Sequence, residues 1–173
     1  SQNPNITWDI VQANPQIPWD YKWLSENPNI TWEIVRENPY PNPNIPQDGI
    51  NRWDYQRLSK NPNITWEIVR ENPVPNPNDL SNRWSYHELA KNPNITWEIV
   101  QSNPHPDPND PNGNWNYMFL SENPNITWEN IKANPIPDPN NDGNTWQYME
   151  LSKSPNITWE IVQENPEPDP NDP

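Results

Sequence analysis

The chain has 173 residues with 26 Pro, 12 Trp, 3 Gly and no Cys, and a formal net charge of -14. That charge opposes binding to phosphate backbones, and the lack of cysteine excludes disulfides and thiolate metal sites. Proline and asparagine at this density resemble a disordered composition, but disordered chains lack aromatics; here Trp recurs at fixed positions, so packed elements must alternate with stiff turns.

The word "NPNIT" followed by Trp recurs, with a single Asn-to-Ser change at its start in the last copy, and its threonines Thr7, Thr31, Thr65, Thr96, Thr127 and Thr158 mark the register. Their intervals are 24, 34, 31, 31 and 31 residues, a period that reads as a repeat array. The expected divisions are a half repeat 1–14, repeats 15–38, 39–72, 73–103, 104–134 and 135–165, and a tail 166–173.

Each repeat holds two predicted helices. In "PWDYKWLSENP" the first starts near Pro18, a residue tolerated at a first helical position, with Asp20 in the first turn. Later copies place Asn51, Asn82, Asn114 or Asn144 just before the Trp, as candidate N-caps. Tyr and Leu then sit three apart on one face, as in Tyr21 with Leu24 and Tyr55 with Leu58.

Asn-Pro-Asn makes the turn, since Pro presets its backbone and each Asn can form an Asx-turn. In "NITWEIVRENP" Thr31 is the N-cap of the second helix, Glu33 suits its positive end, and Ile30 and Val35 occupy the staple positions. Asn38 before Pro39 stops it after about two turns. Ile34 points away from Trp32 and Val35, so this third position is expected to be only partly buried, and the fifth copy of the word has Asn130 there.

Helices this short lack the ~12 to 15 residues needed for independent stability, so each must be held by its neighbours. The expected fold class is therefore all-α, a tandem-repeat α-solenoid of short helical hairpins joined by Pro/Asn-rich extended linkers. Its expected core is Trp8, Trp32, Trp53, Trp66, Trp84, Trp97, Trp115, Trp128, Trp146 and Trp159. Trp23, whose place is taken by Arg57, Glu88, Phe119 and Glu150, is expected to face solvent or a neighbour. Alternating Pro in the linkers favours stiff polyproline II spacers.

The combination "W-x-Y-x-x-L-S-x-NPNITWEIV-x-x-NP" resembles short Trp-rich tandem repeats in uncharacterised proteins of large DNA viruses. The likeness covers essentially the whole chain and implies an all-α repeat protein with a structural or host-interacting role.

Candidate sites are few. Asn-Ile-Thr sequons at Asn5, Asn29, Asn63, Asn94, Asn125 and Asn156 offer glycan attachment if the protein is secreted. Asp138, Asn140 and Asp142 in "DPNNDG" match the first half of a calcium loop, although Met149 stands at its twelfth position instead of Glu. His87 and His105 do not recur and build no catalytic constellation, so no enzyme is expected. No cofactor beyond weakly bound calcium is expected.

No apolar run approaches ~20 residues, so no membrane segment is expected. The chain opens inside an "NPNITW" half repeat and closes after "NPEPDPNDP" without an obviously polar capping repeat. The resulting expectation is a structural scaffold whose copies join end to end, or a piece of a longer array; the alternative is a solenoid module presenting an extended surface to a protein partner. Nucleic acid and membrane are not expected partners.

Overall fold

The computed structural model describes residues 3–44, 51–141 and 143–165. They form α-helices and turns with no strand among the described residues. The helices are α1 (Trp8–Ala13), α2 (Tyr21–Leu24), α3 (Trp32–Glu37), α4 (Tyr55–Leu58), α5 (Trp66–Glu71), α6 (Tyr86–Ala90), α7 (Trp97–Ser102), α8 (Tyr117–Leu120), α9 (Trp128–Ala133), α10 (Tyr148–Leu151) and α11 (Trp159–Glu164). The chain divides into two compact units, Ser1–Glu88 and Leu89–Pro173.

The odd-numbered helices start as their sequence dictates. Thr31 has extended backbone and its hydroxyl accepts from the Ile34 N–H at 3.4 Å, while Ile30 and Val35 are buried on either side of the cap. In α9 the Asn130 side chain returns the bond, accepting from the Thr127 N–H at 2.9 Å and completing a capping box. Asn38 ends α3, and its side-chain amide donates back to the Ile34 carbonyl at 2.8 Å, so the residue that stops the helix also satisfies one of its last carbonyls.

The even-numbered helices begin later than the sequence suggests. Asp20 lies outside α2 as its N-cap, accepting from Lys22 and Trp23, and Asp54 and Asn116 cap α4 and α8 in the same way. Asn51, Asn82, Asn114 and Asn144 are not caps. The preceding Trp is held extended because its indole N–H reaches the carbonyl of the previous helix's terminal Asn: Trp53 to Asn38, Trp84 to Asn72, Trp115 to Asn103 and Trp146 to Asn134, each at 2.7 Å. Trp19, which the core expectation omits, makes the same bond to Asn14 at 3.0 Å.

The linkers are also not plain polyproline II. Polyproline II has no internal hydrogen bonds, whereas consecutive turns close here through Asp79 to Asn76, Asn82 to Asp79, Asp110 to Asp107, Gly113 to Asp110, Asn141 to Asp138 and Asn144 to Asn141. Asn and Asp side chains at the turn starts accept from backbone N–H groups two residues on, which stabilises the bend over the extended chain.

Aromatic packing inside each compact unit links repeats one apart through Tyr–Trp pairs and two apart through Trp–Trp pairs. In the first unit Trp53 meets Trp8 with ring centroids 5.7 Å apart and Tyr21 edge-on at 5.8 Å, and Trp84 meets Trp32 at 5.8 Å and Tyr55 at 5.2 Å. In the second, Trp146 meets Trp97 at 6.0 Å and Tyr117 at 5.0 Å. Such tilted and edge-on pairs are the favoured aromatic geometries.

The expected indole core holds in part. Trp53, Trp66, Trp84, Trp115, Trp128 and Trp146 are buried; Trp8, Trp32 and Trp97 are only half-buried because each leans one face on a partner ring. Trp159 is 67 % exposed, since no described ring covers it. Fully buried aliphatic side chains are instead Leu24, Ile30, Leu58 and Ile64 in the first unit and Leu89, Ile95, Leu120 and Ile126 in the second, the Leu of α2, α4, α6 and α8 with the Ile of the word that follows each.

Candidate functional site

The most elaborate polar feature is the Asn-Pro-Asn turn. Its first Asn forms the expected Asx-turn, as when the Asn63 N–H donates to Asn61 Oδ1 at 2.9 Å. The side chain also does something a turn does not require. Asn61 is fully buried, and its Nδ2 donates to the carbonyls of Ser25 and Asn27 at 2.9 Å and of Ile30 at 3.1 Å, all in the preceding repeat. In the second unit Asn123 does the same to Ala90, Asn92 and Ile95 at 2.7, 3.1 and 3.1 Å.

The second Asn adds another rung. Asn29 donates to the Pro4 and Ile6 carbonyls, Asn63 to Pro28 and Ile30, Asn125 to Pro93 and Ile95, and Asn156 to Pro124 and Ile126, at 2.5–2.6 Å and 3.1–3.2 Å in each case. Within each unit successive words are thus joined side by side by amides bonding to carbonyls, as strands are joined in a sheet but with side chains as the donors.

The linker asparagines form a parallel set of ties. Asn82 accepts from the Tyr55 N–H at 2.9 Å and donates to the Trp53 carbonyl at 2.8 Å; Asn144 does the same with Tyr117 and Trp115, both at 2.8 Å. Ser25, Ser59 and Ser121 accept from the N–H of Asp54, Ser85 and Gln147 in the following repeat at 2.9–3.0 Å. These roles escape a local reading because each partner lies 26 to 29 residues away. Their recurrence from copy to copy is the signal that could have revealed them.

Charged residues vary along the array yet match between neighbours. Arg57 pairs with Glu26 at 2.7 Å and lies 3.8 Å above the Trp23 ring. Lys60 faces Glu88 at 3.5 Å, and Lys91 pairs with Glu122 at 2.9 Å while lying 4.3 Å over Phe119. Trp23 therefore faces a neighbouring repeat, with the Arg57 guanidinium on its surface.

The first carboxylate of the calcium-like loop is occupied by amides. Asp138 is 4 % exposed, and its carboxylate accepts from the side-chain amides of Asn114 at 2.8 Å and Asn144 at 2.9 Å and from the Asn140 N–H at 3.3 Å. Burial pushes its pKa up, but these bonds, with the charge of His105, outweigh it and hold the group below the usual carboxylate range. Asn140 is exposed, and Asp142 lies outside the described residues. Among the described residues no group of three His, Cys, Asp or Glu side chains could hold a metal ion.

The sequon asparagines are not brought into one site. The Nδ2 atoms of Asn29, Asn63, Asn125 and Asn156, where a glycan would be attached, are the donors to the preceding word. Asn5 is exposed and Asn94 is half-buried. Among the described residues no helix is long and apolar enough to cross a membrane.

A cleft of about 370 Å³ opens in the first unit between successive linkers, lined by Tyr40, Arg52, Tyr55 and Asp79 among others. Arg52 and Asp79 form an ion pair across it. The rest of its described lining consists of aromatic, proline and asparagine side chains. No family model, curated protein or solved structure matches this chain.

Proposed function

We propose that the chain is a non-enzymatic scaffold, an α-solenoid of short hairpins whose copies associate end to end. The observation that carries this reading is the side-chain ladder: the most buried polar groups, Asn61 and Asn123 among them, are spent on joining one repeat to the next. Buried polar groups at a catalytic centre would converge on a cavity, whereas these satisfy one another. Aromatic stacking at the same contacts suits a scaffold, since an array gains rigidity when each repeat is viable only beside its neighbours. The resemblance to repeats in proteins of large DNA viruses implies a structural setting of the same kind. Sedimentation velocity on the full chain over a wide concentration range tests the proposal; species growing by whole multiples of the chain mass support it, and a single monomer throughout contradicts end-to-end association.

A second reading, a module presenting its surface to another protein, is favoured by one observation. The residue between the two prolines of the linker is apolar and exposed at Tyr40, Val74 and Ile136, so the linkers display a recurring apolar position. Changing all three to Ser should abolish partner recovery from native extract under this reading and leave it unchanged under the first.

A further inference from the structure

Inside the units, the tyrosine of an even-numbered helix stands 21 residues before a linker Asn or Asp: Tyr21 before Asn42, Tyr55 before Asn76 and Tyr117 before Asp138. Two of these linker residues are sealed. Asn42 is buried with its side chain hydrogen-bonded to the Tyr21 hydroxyl, and Asp138 is buried under the Asn114 and Asn144 amides with its charge felt at Tyr117. The place between Tyr55 and Asn76 is open. Asn76 is half-buried, its Oδ1 is taken by the Asn78 N–H at 3.1 Å, and both Asn76 and Tyr55 line the cleft of about 370 Å³. Tyr55 is 9 % exposed, yet among the described residues nothing bonds its hydroxyl, which keeps contact with solvent. A buried side chain thus brings an unpaired donor and acceptor to the wall of a cavity, where such a group is costly unless something meets it.

We propose that this cleft binds a neutral pyranose sugar, with the Tyr40 ring as its platform and Tyr55, Arg52, Asn76 and Asp79 as its hydrogen-bonding groups. The volume falls at the lower end of the ~300–1,000 Å³ typical of small-molecule sites, which suits a ligand of sugar size. Charge points away from an ionic ligand: Arg52 and Asp79 already neutralise each other, and the chain's net charge of -14 repels anions. The Ser81 hydroxyl and N–H also hold Asp79, at 2.6 and 3.1 Å, so its carboxylate is fixed in advance and its remaining lone pairs can accept from sugar hydroxyls. The Tyr55 hydroxyl both donates and accepts, as each sugar hydroxyl does, and burial keeps it protonated by pushing its pKa up to about 12. Tyr40 is exposed and offers a ring face on which the C–H face of a pyranose can lie. A proline-rich peptide fits less well, because such ligands dock in grooves lined by several aromatic rings, whereas Trp53 and Tyr55 are buried here and Tyr40 is left as the exposed ring of the described lining.

Saturation-transfer NMR on the full chain tests the site, with the methyl pyranosides of glucose, galactose, mannose and N-acetylglucosamine as probes. At least one of them is expected to bind with a dissociation constant of about 0.1–10 mM, the strength of a few hydrogen bonds and one stacked ring. Tyr55→Phe removes only a hydroxyl that no described residue bonds, so melting at neutral pH should match the parent while affinity falls about fivefold, the worth of one hydrogen bond. Tyr40→Ser changes an exposed ring, so it should also leave folding intact, and it should weaken binding about tenfold by removing the platform. Absence of saturation transfer from every probe, or binding that either variant leaves unchanged, overturns the assignment. Binding of the peptide PVPNPND, offered as the proline-rich rival, in place of the sugars overturns it as well.

Discussion

The side-chain amide of Asn61 donates to the carbonyl of Asn27 at 2.9 Å, so the first residue of one Asn-Pro-Asn word is tied directly to the first residue of the word before it. One residue type thereby serves two ends, bending its own chain through Oδ1 and fastening the neighbouring repeat through Nδ2.

Removing that amide should be among the most damaging single polar changes. Asn61→Ala strips a donor from three buried carbonyls and is expected to cost about 2–4 kcal/mol, the range for leaving buried acceptors unpaired with some packing lost. Asn61→Asp should cost at least as much, because a carboxylate would face the same three oxygens. Urea unfolding of the full chain measures both, and a loss below ~0.5 kcal/mol for the Ala variant would remove the ladder from the account.

Trp84→Phe keeps most of the ring contact with Trp32 and Tyr55 but deletes the indole bond to the Asn72 carbonyl. A loss of about 1–2 kcal/mol is expected from the bond and the smaller buried area together. Trp23→Phe, on a ring 44 % exposed and stacked only on one face by Arg57, should cost less than half as much in the same assay.

The pair Glu26 and Arg57 should couple measurably. Their side chains are 9 % and 29 % exposed, so water screens the pair less than it would on an open surface. A double-mutant cycle with Glu26→Gln and Arg57→Met should return a coupling on the order of 1 kcal/mol, decreasing as salt is raised. Zero coupling at low salt would reduce the charge matching to coincidence.

Alkaline stability should report the packing of Tyr55. Burial pushes its pKa from 10.0 up to about 12, so the folded chain keeps a proton that the unfolded chain releases. The stabilisation from this group is complete below pH 10 and is lost as pH rises through about 12, amounting to roughly 2–3 kcal/mol over that window. Tyr55→Phe should flatten this part of the stability profile. On the acid side Glu33, Glu67 and Glu160 are held below their ordinary pKa, first by their own backbone N–H and then by the Thr cap, while at Glu98 the Thr96 hydroxyl leads; their contribution is present above the unfolded pKa and fades as pH falls through the folded one.

Much of the local structure is written in the words themselves. Thr31 as cap, Ile30 and Val35 as staple and Asn38 as terminator depend on neighbours within a few residues; the cap and terminator recur in every copy and the buried staple in the second to fifth, so the spacing alone identifies them. The starts of the even helices are ambiguous in the sequence because Asp20 competes with Pro18 at α2 and Asp54 with Asn51 at α4, and only the extended Trp, bonded to the preceding helix end, decides between them. The lateral roles of Asn61, Asn82 and Ser59 depend on contacts a repeat away, which no local propensity encodes. The amide partners of the Asp138 carboxylate escape a local reading for the same reason, since Asn114 lies 24 residues distant.

Because the amides, indoles and serine hydroxyls that hold a hairpin are shared across repeats, a hairpin should not stand without its neighbours. A peptide of residues 39–72, containing α4 and α5 in full, tests it by far-ultraviolet circular dichroism through a thermal scan in dilute buffer. A disordered spectrum and no cooperative transition are expected; helical signal per residue equal to that of the full chain, lost in a sigmoidal melt, would contradict the dependence of each hairpin on its neighbours.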